Sequence, residues 1–396
     1  MRPSVLFPAA LCLCFLVAAS LSSHDDFERR QRLAMDRILY LYRTNSTYAK
    51  LYDQWEKEQG ERVAVGEDFP CPLPKSDSDG VPTSVHRLHP RDIKVIGAVG
   101  DSLTAGRGAS LGPLGLLLDF PELSWSIGGR AEFEKQITLP NIIRKFNPET
   151  VGAAQSRRKR VFNKARSGAK ADEMLNQTIA LVDAIKADKH IDFENDWKVV
   201  TVFIGGNDIC AICDDYNYYS PENYQKRVQD ALDYLQDNLP RTFVNLVELL
   251  NVEMVQELGK NLLCEAVHML VCECANRPGS EEAQKRLLEY KDAYQQMLRE
   301  LGVSKRYRVK DDFTVVLQPF YRNTYPPFKP SGELDLSYFA SDCFHLSSKG
   351  QQAAAKALWN NMIEPLGSKR LDWHPYEPLE CPSKKSPYLA TYKNSK

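Results

Sequence analysis

The run Ile93-Lys94-Val95-Ile96-Gly97-Ala98-Val99, followed at once by Gly100-Asp101-Ser102-Leu103, decides how the rest of the chain is read. Its apolar, partly β-branched residues have the length and composition of a buried strand, and the small residues after them make a turn. Residues 197–204 repeat the arrangement and end in Gly205-Gly206-Asn207-Asp208; residues 313–318 are a third such run. Helical sequence lies between them. Ser220-Pro221-Glu222 reads as a cap with proline in the first turn, Val228, Leu232, Leu235 and Leu239 mark one face, and Pro240 stops it. Ser347 or Ser348 can cap a last helix that includes residues 353–362 and ends before Pro365. Strands separated by helices predict an α/β chain with a parallel sheet covered on both faces. Ligands in such sheets bind beyond the carboxyl ends of the strands, where Ser102 and Asn207 both fall.

Working outward, residues 1–20 read as a secretory signal: Arg2, an apolar run over residues 6–19, then the small residues Ala18-Ala19-Ser20. The run is shorter than the roughly 18–20 residues a membrane span needs. Residues 21–90 form an extension, with short helices expected over 27–59 and a proline-rich linker or wrap over 66–90. The main domain is expected over 91–370 and a polar tail over 371–396. Export makes disulfides the natural state of the eight cysteines outside the signal: Cys71, Cys210, Cys213, Cys264, Cys272, Cys274, Cys343 and Cys381. Four bridges are expected, with about 105 pairings open. Asn45-Ser46-Thr47 and Asn176-Gln177-Thr178 fit the glycosylation sequon. The 51 basic and 52 acidic residues leave a net charge of -1, without the basic excess of a nucleic-acid binder. Hydrophobic residues at 43% and charged ones at 26% exclude disorder over the whole length.

The chemistry concentrates in a few short motifs. Ser102 ends a strand among small neighbours, but a serine hydroxyl needs a general base, and that base needs an orienting group. Asp342-Cys343-Phe344-His345 supplies both, and one turn of helix-like backbone would set the two side chains on one face. Asn207 ends another strand and can offer an amide to a developing oxyanion, as can the small-residue turn at Asn163-Lys164-Ala165-Arg166-Ser167-Gly168-Ala169. Taken singly, each motif has a plainer reading: a serine in a glycine-rich turn, an exposed acid–histidine pair, a turn or helix cap. His86 and His89 sit in proline-rich sequence and are assigned to the linker. Cys210-x-x-Cys213 has no second pair at zinc spacing, so a disulfide beside the site is favoured; no metal and no cofactor is expected. Residues 111–120, rich in leucine, could line an acyl groove or flank a buried helix.

Gly100-Asp101-Ser102-Leu103, Gly168 in its turn, Gly205-Gly206-Asn207-Asp208 and Asp342-Cys343-Phe344-His345 occur in the order that resembles the GDSL (SGNH) serine hydrolases. Asp101-Ser102-Leu103-Thr104-Ala105-Gly106, Ser124-Trp125-Ser126-Ile127-Gly128-Gly129, Asn207-Asp208-Ile209-Cys210 and Leu358-Trp359-Asn360-Asn361-Met362 are similar to the phospholipase B branch, over about residues 30–370. Ser167 departs from that branch, which often carries another small residue or proline there. The resemblance implies a flavodoxin-like three-layer sandwich. It implies Ser102, Asp342 and His345 as catalytic triad, and Ser102, Gly168 and Asn207 as oxyanion hole. It also implies a phospholipid or lysophospholipid substrate met at a membrane or micelle surface. A secreted esterase for simpler or acetyl-sugar esters and a non-catalytic lipid binder on the same scaffold are the alternatives.

Overall fold

The computed structural model describes residues 23–57, 66–73, 80–110, 112–251, 253–260, 264–265, 268 and 272–395. The stretch read as a secretory signal lies outside them. Among the described residues four strands form one sheet: β1 (Ile93–Gly100), β2 (Trp197–Phe203), β3 (Thr242–Val247) and β4 (Phe313–Gln318). They pair in the order β1-β2-β3-β4, every pair parallel. Parallel neighbours need crossovers, and the crossovers are where helices fit. The helices that matter here are α1 (Ser23–Thr44), α2 (Ser46–Lys57), α3 (Leu139–Phe146), α4 (Met174–Ala187), α5 (Pro221–Asn238), α6 (Glu281–Val303) and α7 (Ser348–Ile363).

Side chains alternate across the sheet, as strand geometry requires. Ile96, Ala98, Val199, Phe203, Phe243, Val247 and Val316 face a core closed by α3 and α7. Val95, Val99, Val200, Val202, Val244, Leu246 and Val315 face a second core closed by α4, α5 and α6. The result is the expected three-layer α/β sandwich. Ser220 caps α5 by accepting from Asn223 N, and Ser347 caps α7 by accepting from Gly350 N. β3 was not expected from the sequence, because Asn245 interrupts its apolar run. Asn245 is nevertheless fully buried and accepts a hydrogen bond from Gln318 Nε2 of β4 at 2.8 Å. A polar pair satisfied between adjacent strands hides a strand from hydropathy.

The free edge of β1 is paired irregularly. Ile96 N donates to Val151 O at 3.0 Å, Ala98 N to Phe162 O at 3.0 Å, Lys164 N to Ala98 O at 2.9 Å and Arg166 N to Gly100 O at 3.1 Å. This segment runs beside β1 and delivers Gly168 to the strand's carboxyl end.

Residues 23–57 form two long helices rather than the short ones expected. α1 buries one stripe, Phe27, Gln31, Ala34 and Ile38, at the three-and-four spacing of a helix face. Ala34 and Ile38, with Tyr48 and Tyr52 of α2, join the α3/α7 core. His86 is not in a loose linker: it is buried and hydrogen-bonds Thr391 Oγ1 at 2.9 Å. The polar tail is tied down too, by the Cys71–Cys381 disulfide and by Leu389 N donating to Leu88 O. Among the described residues no helix is long and apolar enough to cross a membrane.

Candidate active site

The sheet's carboxyl end gathers the site. β1 finishes at Gly100 (φ 155°), where an added Cβ would lie 2.4 Å from Phe203 O, so the crossing admits only glycine. Asp101 then caps a short helical turn, Ser102–Ala105, by accepting from Leu103 N at 3.0 Å. Ser102 therefore opens a helical turn, a position whose backbone N–H has no partner inside the turn.

His345 Nε2 lies 2.8 Å from Ser102 Oγ, and His345 Nδ1 lies 2.6 Å from Asp342 Oδ2. The carboxylate makes Nδ1 the ring's donor and leaves Nε2 free to accept from the serine. The backbone joining Asp342 to His345 is not the helix-like turn expected. Cys343 adopts φ 53°, and Asp342 Oδ1 accepts from Phe344 N at 3.1 Å and His345 N at 3.0 Å. That side-chain-to-backbone turn brings the pair together without a helix. Burial opposes ionisation of Asp342. The imidazole and the two backbone amides outweigh it, and the carboxyl is held below the ordinary range.

A left-handed non-glycine between two such residues costs free energy and needs support. Cys343 is held twice: by its disulfide to Cys264, and by His268 Nε2, which donates to Cys343 O at 2.9 Å. Burial pushes the His268 pKa down and favours its neutral ring. Sequence reasoning missed His268; its spacing of four from Cys264 was the one available signal. Two further disulfides, Cys210–Cys272 and Cys213–Cys274, tie the loop after Asn207 to the same region. Among the described residues the one close grouping of metal-type side chains is Cys213, Asp214 and Cys274, and both its cysteines are bridged to each other.

Gly168 sits at φ 81°, a left-handed turn that directs the 168–171 loop toward Asn207. Asn207 Nδ2 donates to Ala169 O at 3.0 Å, and the Asp208 carboxylate accepts from Ala171 N at 3.1 and 3.2 Å. These bonds hold the two candidate donor loops together. Gly168 and Asn207 line a cleft of about 440 Å³ with Phe27, Arg30, Lys170, Tyr218 and Tyr219 among its other walls. The leucine-rich stretch divides: Leu116 is buried, while Leu114 is 64% exposed. Both sequon asparagines, Asn45 at the start of α2 and Asn176 on α4, are exposed.

Burial raises the Asp208 carboxyl from 3.8 to about 7. Below about pH 4 the acid is protonated in both folded and unfolded chains. Between there and about pH 7 only the unfolded chain ionises, so stability falls as pH rises. Asp208→Asn is expected to remove up to about 1.4 kcal/mol per pH unit of that decline. Thermal unfolding from pH 4 to 8 measures it; an unchanged slope would mean the carboxyl ionises as freely folded as unfolded. Asp101 is raised to about 7 by the same burial, so part of the slope remains in the variant.

A profile of the GDSL-like lipase/acylhydrolase family matches residues 96–358. Phospholipase B1, membrane-associated, from Homo sapiens is 42% identical over 372 residues, and that from Mus musculus 41% over 372. Each alignment covers 90% of this chain and 25% of the relative, so the chain spans about a quarter of the length of the curated relatives it matches. Among solved structures, a lipase from a goat rumen metagenome covers 70% of this chain and 100% of its own, at 17% identity and a TM-score of 0.37. With the match spanning Ser102, Asn207 and His345, the chain belongs to the GDSL-like lipase/acylhydrolase family.

Proposed function

We propose that the chain is a secreted serine hydrolase that releases fatty acids from glycerophospholipids and lysophospholipids. The observation that carries this reading is the unbroken line from Ser102 Oγ through the imidazole to Asp342, with contacts of 2.8 and 2.6 Å. The phospholipid class comes from the relatives' name, and export accords with four disulfides and two exposed sequons.

In the proposed reaction His345 Nε2 takes the Ser102 proton as Oγ attacks the acyl carbonyl. The carbonyl oxygen gains the negative charge and is held by the backbone amides of Ser102 and Gly168 and by Asn207 Nδ2. One Nδ2 hydrogen is committed to Ala169 O, which orients the amide and leaves the second for the oxyanion. The tetrahedral intermediate collapses, the glycerol oxygen leaves with the proton from His345, and the acyl group stays on Ser102. Water, deprotonated by His345, then cleaves that ester and frees the fatty acid. Asp342 stabilises the imidazolium in both halves.

Asn207→Ala is expected to fold and to lose at least about a hundredfold in turnover, the usual cost of one oxyanion donor. Near-normal turnover would take Asn207 out of the hole. The substrate class is tested by comparing fatty-acid release from phosphatidylcholine micelles with hydrolysis of acetyl and butyryl esters. Preferential release from phosphatidylcholine is the expected result, and a strong short-chain preference would replace this reading with the esterase one.

A further inference from the structure

We propose that α1 is an interfacial lid, closed over the Ser102–His345 pair in water and displaced when the protein meets a phospholipid surface. The inference rests on the serine-hydrolase reading above and adds to it how substrate gains access. Ser102 is only 2% exposed and His345 is fully buried. An attacking hydroxyl must have the carbonyl carbon at about 3–3.5 Å before reaction, so something must move. α1 supplies one of two rings packed against the imidazole, the other being Phe344 from the same loop as His345, at 5.1 Å. Phe27 packs edge-on against the His345 ring, with centroids 6.0 Å apart, and Asp26, Phe27 and Arg30 form one wall of the cleft beside Gly168 and Asn207.

The hold of α1 on this site is specific but poorly satisfied. Glu28 grips Arg107, in the turn after Ser102, through two contacts of 2.8 Å, and the Arg107 guanidinium lies 5.3 Å from the centre of the Phe27 ring. One turn further, Gln31 is fully buried with neither its amide oxygen nor its nitrogen hydrogen-bonded. A buried amide without partners opposes docking, and leaving the site would relieve it. The hairpin remains tethered to the body at Cys71–Cys381 when α1 lifts.

The partner surface is set by what the hairpin shows to solvent. Leu33, Tyr40, Tyr42 and Leu51 are exposed, and Leu114 is exposed on the segment Gly112–Gly115 that packs against α1. Residues 23–57 carry seven basic and six acidic side chains, so the two signs nearly cancel and the exposed aromatic and leucine side chains sit on a surface of little net charge. That chemistry fits a zwitterionic lipid interface. Opening in water would expose Phe27, Ala34 and Ile38 to solvent. At a lipid surface those residues find an apolar medium instead, and the open state becomes the favoured one.

The test uses the full chain and a small fluorophosphonate that esterifies Ser102. Labelling is followed in buffer and with dodecylphosphocholine micelles, for the wild type and for Glu28→Gln. The wild type is expected to label at least about tenfold faster with micelles, and Glu28→Gln to label fast in both, because loosening the lid raises the accessible fraction. Hydrogen exchange supplies an independent readout: amides of residues 102–109, beneath α1, should lose protection when micelles are added to the wild type. Equal, fast labelling of the wild type in both conditions, or protection of residues 102–109 unchanged by micelles, would overturn the lid while leaving the serine reading intact. Absence of any Ser102 adduct under every condition would sink both.

Discussion

Ser102→Ala is expected to lower turnover on phosphatidylcholine by roughly a millionfold, the scale seen when a serine nucleophile is removed from a triad. The substitution removes one oxygen and leaves β1, the Asp101 cap and the helical turn untouched. Initial rates of fatty-acid release, with a thermal unfolding curve for the same preparation, measure both sides. A folded variant that keeps more than a small residue of activity would place the nucleophile elsewhere.

Asp342→Asn should cost about ten-thousandfold in turnover, for a reason visible in the turn itself. Asp342 Oδ1 already accepts two backbone amides, from Phe344 and His345. An asparagine must keep its oxygen there, because its nitrogen cannot accept those hydrogens. Its NH₂ group then faces His345 Nδ1 and donates to it, so the ring carries its proton on Nε2. That nitrogen can no longer take the serine proton. Raising the pH does not restore it, because the neutral ring is the wrong tautomer. A pH–rate profile from 6 to 9 should stay low throughout. Recovery of wild-type turnover at high pH would show that Asp342 only tunes charge and does not fix the tautomer.

The three strands with unbroken apolar runs were visible in the sequence, and so was the order of the motifs at their ends. β3 was not, because Asn245 satisfies its polarity against Gln318, a contact far away along the chain. Ser102 and Asn207 were legible for the same reason as the strands: parallel β-strands deliver their carboxyl ends to one edge, so residues that follow them meet; Gly168 and His345 reach that edge on loops. What joins Asp342 to His345 was misread. Spacing of three suggests a helix, yet the side chain of Asp342 itself ties up the local amides and forces Cys343 left-handed. Three of the disulfide pairings, Cys210–Cys272, Cys213–Cys274 and Cys264–Cys343, and the role of His268 were out of reach, since no periodicity places those residues beside the site. The role of α1 was hidden too. Its stripe of Phe27, Gln31, Ala34 and Ile38 marks a buried face, but nothing in it says that the surface beneath is the imidazole.

The proposed chemistry requires the acyl group to pass through a covalent ester on one hydroxyl. Acid quenching during turnover of phosphatidylcholine labelled in its acyl chain, followed by peptide mapping, looks for that ester. An acyl mass on the peptide containing Ser102, absent from the Ser102→Ala variant, is the expected result; steady release of fatty acid with the label on another residue, or on none, would contradict it.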